Sequence, residues 1–150
     1  MTLQNILTLD CTQCAVPTSS KKRLLEQICQ LAANKLPDTS ASDLLESLLN
    51  REKMGSTGIG NGIAIPHGRL DNTDQAIAVF ITTKQAIDFD AIDNKPVDIF
   101  ICLFVPKNST QEHLNTLQSI AKLMSDRKTA KQVRKCVNKQ EMFNLIQQAN

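Results

Sequence analysis

The strongest constraint on this chain is the glycine-rich segment GSTGIGNGIAIPHGR at residues 55–69. It contains all five glycines of the 150-residue chain and one of its two histidines. Glycine tolerates positive φ and lets backbone amides approach a ligand or a neighbouring chain. A tight connection between two elements needs a few glycines, but rarely so many. The concentration therefore predicts a site whose rim is formed by main chain.

Known phosphate-binding loops fit this segment poorly. Asn61 stands where GxxxxGK[ST] requires lysine, and Ile63 and Ile65 occupy the third-glycine positions of GxGxxG. Those motifs also lead from a strand into a helix, whereas here a predicted helix precedes the segment and a strand-like GIAIP lies within it. The sequence does not predict a nucleotide site.

His67 is the candidate reactive residue of the segment. It follows Pro66, which restricts the backbone, and precedes Gly68, which leaves one side of the ring uncrowded. A lone histidine is by default structural or simply exposed. Near neutral pH, however, one ring nitrogen can be a nucleophile while a backbone carbonyl holds the other as a donor.

Two further residues are candidates for the same site. Arg51, at the start of the loop, offers a planar fork of donors suited to phosphoryl oxygens. His113 lies in the opening turn of a predicted helix, where an anion and a neutral imidazole are both favoured. We expect it to hydrogen-bond a phosphoryl group beside His67. These assignments depend on the three side chains meeting in the fold.

Charge and hydropathy exclude several classes of function. The chain has 17 basic and 15 acidic residues, too balanced for a nucleic-acid stripe or a polybasic membrane anchor. Basic residues concentrate at 127–139, which predicts the solvated face of a helix, with a partner surface as the alternative. The longest apolar run, residues 99–105, is too short to span a bilayer, and the N-terminus does not resemble a signal peptide. We expect a cytoplasmic protein without membrane insertion.

The five cysteines are expected to be reduced thiols, because an odd number without an export signal does not suggest a disulfide framework. Cys11 and Cys14 form one CxxC motif. The alternative to two plain reduced thiols there is half of a zinc site or a redox pair. No second CxxC or Cys/His pair completes it, so no metal is predicted.

Hydrophobic periodicity predicts helices, then strands, then helices. The expected helices run from Ser20 to before Pro37, from Ser40 to Asn50, from Ser109, over residues 128–137 and from Asn138. Buried strands are expected at residues 76–82 and 97–105, with a brief strand at 87–89. Residues 1–19 are interpreted as a loosely determined lead-in. The prediction is one α/β domain over residues 1–150, with a mixed sheet sandwiched between helices.

Three stretches of the chain resemble a known family: REKMGSTGIGNGIAIPHGR, FDAIDNKPVDIFICLFVP and QEHLNTL. They resemble the type-2 IIA domain of the bacterial phosphoenolpyruvate-dependent phosphotransferase system, in particular the nitrogen-regulatory enzyme IIA, a relative of the fructose and mannitol IIA domains. The resemblance begins at about Lys21 and reaches the C-terminus. It implies the mannitol-type IIA fold and a phosphocarrier that uses neither a metal nor a nucleotide cofactor.

The resemblance also implies roles for individual residues. His67 would accept a phosphoryl group at Nε2 from an HPr-like carrier of the nitrogen branch, which is itself supplied by enzyme I. Arg51 and His113 match the positions that steady the phosphoryl group. Ser56, Thr57 and the neighbouring amides would line the rim.

Three functions remain open at the level of sequence. The first is a regulatory phosphocarrier whose targets are proteins such as potassium transporters or sensor kinases. The second is a sugar-specific IIA that passes the phosphoryl group to a IIB domain. The stand-alone chain and the wording GSTGIGNGIAIPHG favour the first. The third is a metal-dependent or hydrolytic enzyme using His67, His113 and Asp71, which no HExxH or GxSxG motif supports.

Overall fold

The computed structural model describes residues 2–71 and 73–149. Helices precede and follow the two long strands that the periodicity predicts, and a further strand that it does not predict lies near the N-terminus. Along the chain the elements are α1 Leu3–Ile6, β1 Leu7–Val16, α2 Lys21–Ala33, α3 Ala41–Lys53, β2 Gly58–Gly60, β3 Ile63–Ala64, β4 His67–Leu70, β5 Ile77–Ile87, β6 Val97–Pro106, α4 Thr110–Ser125, α5 Arg127–Lys135 and α6 Lys139–Gln148.

The described strands form one mixed sheet of six strands in the order β1-β5-β6-β3-β2, with β4 also paired to β6. Strand β5 is antiparallel to β6 and parallel to β1. Strands β3 and β4 both run parallel to β6. Strand β6 is central and almost wholly buried, which explains why its sequence VDIFICLFVP is a nearly continuous apolar run rather than an alternating one.

Helices cover both faces of this sheet. Buried side chains of α2 and α3 pack on one face around Phe100, Cys102 and Phe104. Those of α1, α4, α5 and α6 pack on the other face around Ile99 and Ile101. Alternate residues of β6 therefore supply two separate apolar cores. The predicted mixed sheet between helices is confirmed.

Helix starts follow the predicted caps with one exception. Ser20, Ser40 and Asn138 each accept a hydrogen bond from the backbone N–H three residues further on, at 2.9–3.2 Å. Ser109 precedes α4 with φ −114° and ψ 44°, and in the described part of the chain its side chain makes no capping hydrogen bond. The capping box expected there is therefore not formed by Ser109.

Helix α3 is longer than predicted. It continues to Lys53 instead of stopping at Asn50, and the Met54 N–H closes it on the carbonyl of Arg51 at 3.1 Å. Arg, Glu and Lys at 51–53 are good helix formers, which explains the extension. Arg51 consequently lies in the last helical turn and not at the start of a loop.

The interpretation of residues 1–19 as a loose lead-in is wrong for most of that range. Residues 7–16 form β1, a ten-residue strand that pairs in parallel with β5 at the edge of the sheet. Register shifts after Leu7 and after Gln13 interrupt the pairing. They break the period-2 burial pattern, which is the signal by which a strand is predicted from sequence.

The two cysteines of the CxxC motif lie on opposite faces of the sheet. Cys11 is buried in the core beneath α2, and its thiol faces the carbonyl of Leu31. Cys14 packs in the other core, with Sγ 3.1 Å from the carbonyl of Cys136. The pair cannot share a metal ion, and no group of three metal-ligating side chains occurs among the described residues. Of the helices in the described ranges, none is both long and apolar enough to cross a membrane.

Candidate functional site

The glycine-rich segment is built on a tight hairpin. Strands β2 and β3 are antiparallel and are joined by Asn61 and Gly62, which have φ of 58° and 79°. Asn-Gly is a favoured dipeptide for two-residue hairpin turns because both positions require positive φ. Arg134 of α5 holds the turn by donating to the Asn61 carbonyl at 2.7 Å while it pairs with Asp98 at 2.9 Å. The segment is therefore an ordered platform.

His67 is placed where the pairing along β6 resumes after a break. Ala64 pairs with Phe100 and His67 with Leu103, in one continuous register, but Pro66 between them has no N–H to contribute. The Pro66 carbonyl still accepts a hydrogen bond from Leu103 at 3.0 Å. The central strand of the sheet thus fixes the backbone on both sides of His67.

Gly68 brings helix α3 against this strand. A Cβ at Gly68 would lie 2.4 Å from Oγ and 3.2 Å from Cβ of Ser47. The Ser47 hydroxyl donates to the carbonyl of Arg69 at 3.1 Å. Arg51 lies one helical turn beyond Ser47 on the same face of α3. The missing side chain at Gly68 therefore makes room for the helix that carries Arg51.

Both ring nitrogens of His67 have defined partners. Nδ1 is 3.0 Å from the carbonyl oxygen of Ile65, and Nε2 is 3.1 Å from Nε of Arg51. A carbonyl oxygen only accepts and a guanidinium N–H only donates, so the network assigns the proton to Nδ1 and the lone pair to Nε2. The half-buried ring is thus a neutral imidazole whose free lone pair points at a cation.

Burial is the main cause that lowers the pKa of His67, and the charges of Arg51 and Arg69 lower it further. The hydrogen bond to Ile65 and the charge of Glu52 act in the opposite direction. The net effect keeps the imidazole neutral at pH 7. A neutral ring is the form that can act as a nucleophile.

Arg51 also closes the start of the glycine-rich segment. Its Nη1 donates to the carbonyl of Gly55 at 2.8 Å, in addition to the contact between Nε and His67. These two bonds use two of the five N–H groups of a guanidinium, so further donors are available for an anion bound at Nε2. The structure brings Arg51 and His67 into contact, which the sequence could propose but not show.

The hydroxyls of Ser56 and Thr57, both expected at the rim, are hydrogen-bonded within the protein. The Ser56 hydroxyl donates to the carbonyl of Phe89 at 2.7 Å and accepts from the Gly58 N–H at 3.0 Å. Thr57 is only 4% exposed, and its hydroxyl donates to the carboxylate of Glu52. Both hydroxyls hold the glycine-rich segment in place. Thr57 does not line an open rim, because its side chain is buried against Glu52.

Glu52 is a residue of this site that was not predicted from the sequence. Its side chain is 6% exposed and pairs with Nζ of Lys21 at 3.0 Å. It also accepts from the Thr57 N–H at 3.1 Å. A signal was present in the sequence once the end of α3 is known, because a carboxylate in the last turn of a helix opposes the macrodipole and calls for a specific partner.

His113 lies in the first turn of α4 but is buried, with 5% of its surface exposed. Its two ring nitrogens have no hydrogen-bond partner among the described residues. Burial, followed by the charge of Arg69, lowers its pKa. Arg69 has the same effect on His67, so one guanidinium influences both imidazoles. The ring expected to project from α4 is instead enclosed, with unused hydrogen-bonding capacity.

The arrangement suits transfer of an anionic group better than hydrolysis. Nε2 of His67 lies 3.1 Å from the guanidinium of Arg51, and the charge of Arg69 acts on both His67 and the second imidazole, His113. Asp71, the acidic residue of the hydrolytic alternative, instead pairs with Lys107 at 3.6 Å on the surface. Asp71 therefore does not hydrogen-bond the His67 ring, as a carboxylate that orients a general base would.

Known proteins are similar to this chain in sequence and in fold over nearly its whole length. The family model "Phosphoenolpyruvate-dependent sugar phosphotransferase system, EIIA 2" matches residues 5–149, so the match includes β1. A nitrogen regulatory protein from Klebsiella oxytoca is 46% identical over 148 residues, which cover 98% of this chain and 91% of that protein. Nitrogen regulatory protein IIA-Ntr from Neisseria meningitidis superposes with a TM-score of 0.88 at 36% identity, covering 96% of this chain and 98% of that one.

The mannitol IIA protein from Escherichia coli has the same fold, with a TM-score of 0.71 at 18% identity over 97% of this chain and 98% of that one. The predicted mannitol-type IIA fold is therefore confirmed. The chain belongs to the EIIA 2 family of the phosphoenolpyruvate-dependent sugar phosphotransferase system, a family of phosphotransfer carriers, and its relatives within that family include nitrogen regulatory IIA proteins.

Proposed function

We propose that Nε2 of His67 accepts a phosphoryl group from the phosphohistidine of an HPr-like carrier of the nitrogen branch, which enzyme I supplies. The observation that carries this proposal is the pair of contacts on the imidazole. Ile65 holds the proton on Nδ1, and Arg51 lies 3.1 Å from the unprotonated Nε2. The nucleophilic atom and a cation for the incoming charge are adjacent before any donor arrives.

The transfer requires little beyond alignment. The bond between phosphorus and the donor nitrogen breaks as the bond to Nε2 of His67 forms, roughly in line. Arg51 exchanges its contact with Nε2 for contacts with the phosphoryl oxygens, where its planar fork fits. The proton stays on Nδ1, hydrogen-bonded to the Ile65 carbonyl, throughout. One nitrogen–phosphorus bond replaces a similar one, so positioning and electrostatic screening supply most of the catalysis.

The unpartnered imidazole of His113 supports the same function. Buried polar groups without a hydrogen bond cost about 1–3 kcal/mol each, so their presence in a folded protein calls for an explanation. A phosphoryl oxygen beside His67 would provide the partner that the described residues do not. We therefore assign His113 the role of a neutral donor to the transferred group.

Exposed apolar side chains near the site support a protein as the phosphoryl donor. Met54 is 83%, Ile59 42% and Ile92 82% exposed, and we call these three residues the apolar patch. Met54 caps the turn that carries Arg51, and the Ile92 N–H donates to the carbonyl of Gly58 at 3.3 Å, beside Ile59. Large exposed apolar side chains on the segments that form a site commonly mark protein contact surfaces. The proposed carrier docks on this patch.

The proposed output is regulation by phosphorylation state. A phosphoryl group adds about 1.5 to 2 negative charges, which changes the face around His67 and can switch the binding of a partner. Candidate partners are potassium transporters and sensor kinases in contact with the cytoplasm, where the exchange is proposed to occur. The alternative is a sugar-specific IIA that passes its phosphoryl group to a IIB domain. The similarity to nitrogen regulatory proteins favours the regulatory role.

A reconstituted relay of enzyme I, an HPr-like carrier and phosphoenolpyruvate tests the proposal. Intact-mass analysis should find one phosphoryl group on the wild-type chain and none on His67→Ala. Continued full labelling of His67→Ala would show that another residue is the acceptor. The phosphorylated chain is then mixed with fructose-type and mannitol-type IIB domains, and efficient discharge to either would favour the sugar-specific alternative.

A further inference from the structure

We propose that Glu52 is a positioning residue for His67 and acts on it through Thr57 and Ile65. The proposal rests on the proposed function of His67 as the phosphoryl acceptor. It assigns to Glu52 the task of holding the Ile65 carbonyl, which in turn keeps the proton on Nδ1 and the lone pair on Nε2.

The first link joins the carboxylate to the glycine-rich segment. The Thr57 N–H donates to the two oxygens of Glu52 at 3.1 and 3.4 Å, and the Thr57 hydroxyl donates to Oε1. Thr57 is 4% exposed, so water does not compete for these bonds. A charged acceptor in a buried setting makes hydrogen bonds stronger than neutral ones. The position of the Thr57 peptide is therefore set by Glu52.

The second link joins Thr57 to His67. The Thr57 carbonyl accepts from the Ile65 N–H at 2.9 Å, and the Ile65 carbonyl accepts from Nδ1 of His67 at 3.0 Å. Ile65 precedes Pro66, which restricts its backbone to extended conformations. Its N–H and its carbonyl therefore move together. A displacement of Thr57 is passed to the oxygen that fixes the tautomer of the ring.

The stability of α3 alone does not explain a carboxylate at this position. Glu52 lies in the last turn of the helix, where the macrodipole disfavours a negative charge, and its side chain is 94% buried. Burial of a carboxylate is costly unless it is paired and hydrogen-bonded. Lys21 and Thr57 provide those partners. The cost is offset only when α2 and the glycine-rich segment are both in their native positions.

Lys21 fixes the other side of the carboxylate. It is the first residue of α2, and its Nζ lies 3.0 Å from Glu52, 3.4 Å from the Phe89 carbonyl and 4.4 Å from the centre of the Phe89 ring. The same carbonyl accepts from the Ser56 hydroxyl. Glu52 is thus anchored to α2 and to the segment after β5. Because Lys21 is itself held by Phe89, the ion pair fixes the position of the Glu52 carboxylate.

Consecutive residues of α3 therefore control the two nitrogens of one imidazole. Arg51 contacts Nε2 directly, and Glu52 reaches Nδ1 through three hydrogen-bonded steps. Neighbouring residues on a helix point about 100° apart, which lets one face His67 and the other face Thr57. A single rigid helical turn then orients the His67 ring, fixes its tautomer and holds a cation beside its Nε2.

The test is the tautomer of His67, measured from the ¹⁵N resonances of its imidazole in the full-length chain. The variants are Glu52→Gln, Glu52→Ala and Thr57→Val, with Asp10→Asn as the matched control, because Asp10 is also ion-paired, to Lys35 at 2.7 Å, but lies on β1. We expect one tautomer with the proton on Nδ1 in the wild type and in Asp10→Asn. Glu52→Ala and Thr57→Val should show a mixture of the two tautomers.

The same variants should accept phosphoryl groups more slowly while still reaching a full mass increment. Misplacement of a reacting group by about 1 Å can lower a rate on the order of 100-fold, so we expect a loss of roughly 10- to 100-fold for Glu52→Ala. Glu52→Gln keeps an oxygen for the Thr57 N–H and should recover part of the rate. Asp10→Asn should transfer at the wild-type rate.

Thermal unfolding separates positioning from stability. A folded variant of Glu52 or Thr57 with a lowered Tm but an unchanged tautomer and an unchanged rate would overturn the proposal, because Glu52 would then be only structural. If Glu52 variants do not fold, Thr57→Val, which keeps the backbone contact, decides alone. The NMR measurement needs no phosphoryl donor. A wild-type chain that is never phosphorylated would refute the proposed function and leave the tautomer result readable.

Discussion

Gly68→Ala tests whether the close approach of α3 to β4 is what places Arg51 on His67. The new Cβ would lie 2.4 Å from Oγ of Ser47, whereas ordinary contact begins at 3.4 Å, so that oxygen must retreat by about 1 Å. Rotation of Ser47 relieves part of the clash but breaks its hydrogen bond to the Arg69 carbonyl. Its Cβ, 3.2 Å from the new atom, still forces the helix to move by a few tenths of an ångström.

Two consequences follow from that movement. Overpacking costs typically about 1–3 kcal/mol, and the lost hydrogen bond about 0.5–1.5 kcal/mol, so we expect the free energy of unfolding to fall by about 1.5–4.5 kcal/mol. Arg51 also moves with the helix, which lengthens its 3.1 Å contact with Nε2 of His67. Phosphoryl acceptance should then slow by roughly 10-fold or more.

Urea unfolding and a timed labelling assay measure these two effects. The double variant Ser47→Gly/Gly68→Ala removes both atoms that clash and should restore most of the transfer rate. Ser47→Gly alone controls for the cost of glycine in a helix, about 1 kcal/mol. Wild-type stability and rate in Gly68→Ala, or a double variant no faster than Gly68→Ala, would refute the packing explanation.

Two further predictions concern the same site. Because the pKa of His67 is lowered, an NMR titration should find its ring neutral down to about pH 6.5, the ordinary value, and protonated only below it. Arg51→Gln removes a charge that lowers the pKa of His67, so the pKa should rise in this variant. An unchanged pKa would contradict the assigned contact. Ile92→Asp, in the apolar patch, should raise KM for the HPr-like carrier with little change in Tm. Val137→Asp, on the α5–α6 connection outside the patch and 77% exposed, should leave KM unchanged, and equal effects of the two substitutions would argue against docking on the patch.

Elements with a strong local signal could be predicted from the sequence alone. Ser20, Ser40 and Asn138 cap their helices because the cap bonds lie within four residues. Strand β6 and the first half of β5 are almost wholly apolar, so both could be predicted as buried strands. Strand β1 was missed because its signal depends on pairing with β5, which lies about 70 residues away. The Asn-Gly dipeptide at residues 61–62 is likewise a local signal, typical of the tight turn that the structure forms there.

The sequence by itself determined which histidine is the candidate reactive residue and which chemistry to propose for it. A histidine between proline and glycine, in the segment that holds every glycine of the chain, can be recognised from covalent properties of neighbouring residues. The pairing of Arg51 with His67 was a hypothesis that depended on the fold, and the structure brings the two side chains into contact.

Only the tertiary structure decided the surroundings of that histidine. The burial of His113, the capture of the Thr57 hydroxyl by Glu52, and the packing of Ser47 on Gly68 each join elements that are separate in sequence. Side-chain partners of this kind depend on where helices come to rest against the sheet, to within about an ångström. Periodicity and propensity describe each element alone, so they carry no information about that distance.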